Sequence, residues 1–295
     1  MTLTGLYVPL ITPFDRSGAV ALDALEALAQ QALDDGARGL VALGTTGEPS
    51  SLTPAEQQAV LGVVTRVCRE RHAPLIVGAN TPQALAALAD HPEVVASLTV
   101  VPSFVRPGEA GALAYLTRLA ADSPVPLVVY DIPYRTGQYL SAGALRRLAD
   151  VPGVVGVKYA AGGINADTVE LLADLPNLPG LAVLGGDDTF ISPLLALGAH
   201  GGILASAHVA TGEFVRLIDA WHAGDVAAAR ALGGRLGRLS AALFAEPNPT
   251  VIKAVLHAQG RIPTPDVRLP LLAAQPDSAS AALTAAEDLL ATPRA

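Results

Sequence analysis

Eight times along this chain a short β-rich apolar run gives way to a stretch with apolar residues at three- and four-residue spacing, and this alternation constrains the fold more than any other feature. The runs cover 6–11, 39–43, 74–78, 96–101, 126–130, 154–158, 181–185 and 202–205. Leu22, Leu25, Leu28, Ala29, Ala32 and Leu33 form one of the intervening amphipathic faces, and Leu113, Leu116, Leu119 and Ala120 another. Parallel strands need crossover connections, and eight similar crossovers close most simply into a barrel. The expected fold is therefore α/β, a (β/α)8 TIM barrel over residues 1–223. Residues 224–295 follow as an appended C-terminal helical segment, with helical patterns at 220–232, 236–243, 251–258 and 281–290, packed on the barrel as part of one structural unit. Thr53-Pro54-Ala55-Glu56 reads as a capping box with proline at the first helical position, opening the helix that feeds the third strand.

Composition narrows the function classes. At 51% hydrophobic residues the 295-residue chain can bury one large core, yet no stretch approaches the roughly 18 uninterrupted apolar residues of a membrane span. The N-terminus has no basic region ahead of an apolar stretch, so a cytoplasmic location is expected. A formal charge of −8 and scattered arginines disfavour nucleic acid as a partner. Cys68 is the one cysteine, which excludes disulfides and a cysteine metal cage within the chain, and it falls in a helical stretch as a small core residue. The six histidines lack metal-ligand spacing, and Asp187-Asp188 has no second carboxylate cluster beside it, so the pair reads as loop hydrogen-bonders or a helix cap and a metal-dependent aldolase is disfavoured.

In such a barrel the chemistry collects at the carboxyl ends of the strands. The sixth run ends in Lys158, one of only two lysines among nineteen basic residues. An amine delivered to a dry rim favours its neutral, nucleophilic form, which is how a Schiff-base lysine is made. Taken alone, the strand reads first as a charged residue marking an exit into water, and the rest of the chain reverses that reading. The fifth run ends in Tyr130, and because strands five and six are neighbours, a phenol would lie beside the amine and could move protons while the amine attacks a carbonyl. After the second run, Gly44-Thr45-Thr46-Gly47-Glu48 offers hydroxyl and backbone donors to a small anion such as a carboxylate; it also reads as an ordinary glycine turn.

With Gly44-Thr45-Thr46-Gly47-Glu48, then Tyr130-x-Ile132-Pro133-x-Arg135-Thr136-Gly137, then Val157-Lys158, all at the right strands in the right order, the chain resembles the dihydrodipicolinate synthase and N-acetylneuraminate lyase family. The resemblance runs from about Gly5 to Glu246-Pro247-Asn248-Pro249 and takes in Thr12-Pro13-Phe14, Gly186-Asp187-Asp188 and Lys253. It implies a class I, metal-free lyase that binds pyruvate as an imine on Lys158 and adds it to an aldehyde, with no cofactor beyond that covalent lysine imine. Tyr130 would move protons and Thr45 would relay them. Thr46, Gly47, Gly186 and Ile203 would bind the pyruvate, and Arg135 would meet the carboxylate of aspartate semialdehyde, as in the synthase branch. The implied partners are these small molecules and further copies of the chain, in a homotetramer built as a dimer of dimers.

Some positions depart from that pattern. Phe104, in Val101-Pro102-Ser103-Phe104, stands where synthases carry the second tyrosine of a pair that completes the relay across a dimer interface, and Tyr159 replaces a common acidic residue. Pro54, Gln57 and Ser103 are unlike the positions that bind feedback lysine, so no lysine inhibition is expected. Two other readings stay open: an aldolase or dehydratase of 2-keto-3-deoxy sugar acids or related 2-oxo acids, and a non-catalytic barrel that binds a 2-oxo acid.

Overall fold

The computed structural model describes residues 2–291. Its strands are β1 (Gly5–Pro9), β2 (Gly39–Ala42), β3 (Leu75–Gly78), β4 (Val94–Val100), β5 (Leu127–Asp131), β6 (Val154–Tyr159), β7 (Ala182–Gly185) and β8 (Gly201–Ile203). They pair in parallel in chain order, and β8 returns to β1, so the sheet closes as a (β/α)8 barrel with no free edge, as the alternation predicts. The crossovers run through α1 (Leu22–Asp34), α2 (Pro54–Arg71), the single turn α3 (Pro82–Ala86), α4 (Gly108–Asp122), the pair α5 (Pro133–Thr136) and α6 (Ala142–Arg147), α7 (Ala166–Ala173) and α8 (Ile191–Ala196). Four further helices follow β8: α9 (Ala207–His222), α10 (Val226–Leu243), α11 (Thr250–Ala258) and α12 (Pro276–Ala291). Residues 292–295 of the expected C-terminal segment lie outside the described residues.

Side chains alternate across each strand and so build two separate apolar layers. Val41, Ile76, Leu98, Val128, Tyr130, Leu184 and Ile203 fill the barrel interior, while Leu40, Leu75, Leu127, Val129, Val157 and Val183 pack outward against the helices. The same alternation turns Tyr130 inward and Tyr159 outward. Cys68 is buried in the outer layer, where burial pushes its thiol up to about 12 and leaves it inert.

Helix α2 starts as its sequence indicates: Glu56 N–H donates to Thr53 Oγ1 at 3.2 Å and Thr53 N–H to Glu56 Oε2 at 2.8 Å, a cap worth about 1 kcal/mol. The expected helical pattern at 220–232 is corrected. Helix α9 stops at His222, Gly224 takes φ +76°, and the Asp225 side chain caps α10 by accepting from Ala228 N–H at 3.1 Å. Helix α10 then continues unbroken through Gly233 and Gly234, which a local reading takes as a break between two helices. Packing explains it: a Cβ on Gly233 would come within 2.2 Å of Ser192 Oγ, so glycine is what lets α10 lie against α8.

The C-terminal segment does more than cover the flank. Between α11 and α12 the chain crosses back over the carboxyl end of the barrel. There Thr264 Oγ1 donates to Phe14 O at 2.7 Å, and the Arg268 guanidinium reaches Ser51 O at 3.0 Å and Glu56 Oε1 at 2.6 Å.

Candidate active site

The turn after β2 is held in an uncommon conformation. Leu43 and Glu48 bracket Gly44–Gly47 with φ of 54° and 53°, left-handed values that cost a non-glycine residue roughly 1–2 kcal/mol each. Local bonds shape the turn: Gly47 N–H donates to Gly44 O at 2.9 Å, and Thr12 Oγ1 donates to Gly47 O at 2.7 Å. Gly47 is thus buried within the turn, with its N–H already used. Thr46 Oγ1 accepts from Asn248 Nδ2 at 2.9 Å, which leaves its own proton to donate into the site. Thr45 is exposed beside the same opening.

Strands β5 and β6 bring Tyr130 and Lys158 into direct cross-strand register, each only 5% exposed. Lys158 Nζ lies 4.2 Å from the centre of the Tyr130 ring, over its face. Burial pulls the Lys158 ammonium below the ordinary lysine range; the Arg135 charge adds to this effect, while Asp188 and Asp187 oppose it. The amine is therefore poised as a nucleophile. Burial holds the Tyr130 phenol above its usual range, so it stays protonated and can act as a donor. Among the described residues the Tyr130 hydroxyl has no hydrogen-bond partner, and a Thr45–Tyr130 relay bond is not made in the single chain.

Strand β7 supplies the wall behind the amine. Gly186 N–H donates to Tyr159 O at 2.7 Å, and a Cβ on Gly186 would sit 2.8 Å from Lys158 Cε, so the lysine stem lies directly on bare backbone. Asp188 Oδ2 accepts from Ser206 N–H and Asp187 Oδ2 from Gly162 N–H, both at 2.6 Å, which bears out their reading as loop hydrogen-bonders. The sequence reading missed that Asp188 also faces the amine: its carboxyl is pushed up by burial and pulled back by the Ser206 bonds and the Lys158 charge.

Lys158, Tyr130, Thr45, Thr46, Arg135, Gly186 and Ile203 line one small cavity. Of the expected site residues only Gly47 stands back from it, as the support beneath Thr46. Phe244 and Asn248 also line this cavity and were missed, although Asn248 sits between two prolines that signal a fixed turn. Arg135, on the one-turn helix α5, also borders a wider cleft of about 490 Å³ that opens to solvent between the turn after β2, Tyr134 and the Pro247, Pro270 and Leu271 side. Phe104, 96% exposed at φ +68°, stands away from both cavities on the loop after β4. Among the described residues no group of three or more His, Cys, Asp or Glu could hold a metal ion, and no helix is long and apolar enough to cross a membrane.

A buried amine, a buried phenol and a hydroxyl-bearing turn meet at the carboxyl end of a parallel barrel, and the class this fold and its relatives define is the class I lyases. The chain belongs to the dihydrodipicolinate synthetase family, whose model matches residues 2–288. It is 36% identical to the 4-hydroxy-tetrahydrodipicolinate synthase of Syntrophus aciditrophicus over 274 residues, covering 90% of this chain and 91% of that one. Identity to the enzyme of the same name from Neisseria meningitidis serogroup B is 35% over 275 residues, with 92% and 93% covered. The dihydrodipicolinate synthase of Acinetobacter baumannii, complexed with pyruvate, superposes with a TM-score of 0.91 at 31% identity over 98% of this chain and 99% of that one.

Proposed function

We propose that this protein condenses pyruvate with aspartate semialdehyde, as a 4-hydroxy-tetrahydrodipicolinate synthase. The observation that carries the reading is the buried Lys158 amine in register with Tyr130, with the Thr45–Thr46 turn on one side and Arg135 lining the same cavity. Lys158 Nζ attacks C2 of pyruvate, and the carbinolamine loses water to give an imine; Tyr130 supplies and recovers the protons. The Thr46 hydroxyl, steadied by Asn248, binds the pyruvate carboxylate. Ile203 packs on the pyruvate, and Gly186 leaves room for the imine stem. The protonated imine draws electrons from C3, a proton leaves, and the enamine carbon attacks the aldehyde. Because the imine is its own electron sink, the reaction needs no further cofactor. Arg135 offers a planar guanidinium to the carboxylate of the incoming aldehyde.

In this reading the protein serves lysine biosynthesis in the cytoplasm. Assembly as a homotetramer accompanies it, supported by the apolar tip Phe104-Val105, which is 96% and 76% exposed in the single chain. Light scattering at the mass of one chain would contradict that assembly. One observation favours the second reading, an aldolase or dehydratase of 2-keto-3-deoxy sugar acids: Phe104 brings no hydroxyl to a proton relay. Steady-state assays with both aldehyde classes separate the two. A higher kcat/KM with aspartate semialdehyde supports the synthase, and a far higher value with a sugar-derived aldehyde refutes it.

A further inference from the structure

The turn that carries Thr45 and Thr46 is gripped at Glu48 by groups from the far end of the chain. Lys253, fully buried on α11, donates from Nζ to Glu48 Oε1 at 2.5 Å and to the Asp266 carbonyl at 2.8 Å. The Arg268 backbone N–H donates to Glu48 Oε2 at 2.9 Å, so both carboxylate oxygens are engaged. Phe14 carries both cations, with Lys253 Nζ 4.0 Å and Arg268 Cζ 4.4 Å from the ring centre.

Stability alone is a poor reason for such an arrangement, because a buried ion pair often contributes no more than apolar residues of the same volume. What the pair does fix is a backbone conformation. Glu48 is left-handed without being glycine, a state that persists only where surrounding contacts hold it. The held residue directly follows the turn whose hydroxyls face the cavity, and Asn248, five residues before Lys253, bonds Thr46 in the same turn.

We propose that Lys253 is a positioning residue of the active site: its ammonium, held between Glu48, the Asp266 carbonyl and the Phe14 ring, fixes the left-handed turn that presents Thr46 to the carboxylate of a bound 2-oxo acid. The ligand named here rests on the pyruvate reading; the clamp itself does not. The C-terminal segment thereby completes the site from outside the barrel.

The test compares wild type with Lys253→Met and with the double variant Glu48→Gln, Lys253→Met, which removes both buried charges together and keeps the question answerable should the single variant misfold. Amide hydrogen exchange is followed in peptides covering 43–52, with β5 and β6 peptides as internal controls. Pyruvate titration with borohydride trapping, read by intact mass, gives a half-saturating concentration and a maximal rate. The expected result is exchange about tenfold faster at 43–52 with the controls unchanged, and half-saturating pyruvate raised about tenfold with the maximal rate within about threefold of wild type. Wild-type exchange at 43–52 in the folded double variant, or a wild-type half-saturating concentration in it, would overturn the proposal and leave the pair a packing feature. A wild type that traps no pyruvate refutes the pyruvate reading instead, and the exchange arm alone then decides for or against the clamp.

Discussion

Gly186→Ala should disable the site while leaving the barrel folded. An added Cβ would stand 2.8 Å from Lys158 Cε, 2.9 Å from Lys158 Cγ and 3.2 Å from Ala160 Cβ. Carbon atoms prefer separations of roughly 3.5–4.0 Å, so the lysine stem must retreat by about 1 Å. Tyr130 limits that retreat, since Nζ already lies 4.2 Å from its ring centre. Gly186 is not among the left-handed glycines, so alanine meets no backbone penalty and the effect is steric. Overpacking of this kind costs roughly 1–3 kcal/mol, or a few degrees in Tm for a chain of this length, at about 2–4 °C per kcal/mol. A displacement of about 1 Å at a reacting group costs on the order of 100-fold in rate. The assay pairs thermal melting with the initial rate of borohydride-trapped pyruvyl adduct, read by mass. A variant that traps at a rate within about threefold of wild type would refute the contact argument; one that fails to fold would show that the wall, not the amine, is what the glycine protects.

Three further outcomes are expected. Because burial lowers the Lys158 ammonium below its ordinary 10.5, the trapping rate should rise with pH and level off below that value; a rate still climbing at pH 10.5 would contradict the buried, poised amine. His208 is held neutral, with Nε2 accepting from Ile11 N–H at 3.2 Å, and burial pushes it down from 6.5 to about 4. Below pH 6.5 the unfolded chain takes up a proton that the folded chain refuses, so stability should fall between about 6.5 and 4 by roughly 3 kcal/mol. Urea unfolding across that range should show a flatter profile in His208→Gln, and identical profiles would refute the assignment. Arg135→Ala should raise KM for the carboxylate-bearing aldehyde roughly 10- to 100-fold with pyruvate half-saturation little changed; an equal rise for both substrates would place Arg135 elsewhere in the reaction.

The parts legible in the sequence are those set by local pattern. Eight apolar runs announce eight strands because each is buried on both faces, and strand order alone places Tyr130 beside Lys158, as the β5–β6 register bears out. Thr53 and Glu56 declare the start of α2 because a capping box spans only four residues. What stayed hidden depends on distant neighbours. Gly233 reads as a helix breaker until Ser192 is seen against it. Glu48 and Lys253 are 205 positions apart, and nothing near either residue signals that they meet. Asp188 shows its loop role in its sequence, but its place facing the amine depends on how the loop after β7 folds back into the barrel mouth, where the Ser206 N–H after β8 holds its carboxylate.

The central claim is that Lys158 forms a covalent imine with pyruvate. Incubation with pyruvate and borohydride, followed by intact-protein and peptide mass spectrometry, tests it most directly. A single reduced pyruvyl adduct on the peptide containing Lys158, absent from Lys158→Ala, is the predicted result. No adduct on the folded wild-type protein, or an adduct that persists in Lys158→Ala, would contradict it and bring forward the reading of a barrel that binds a 2-oxo acid without reacting with it.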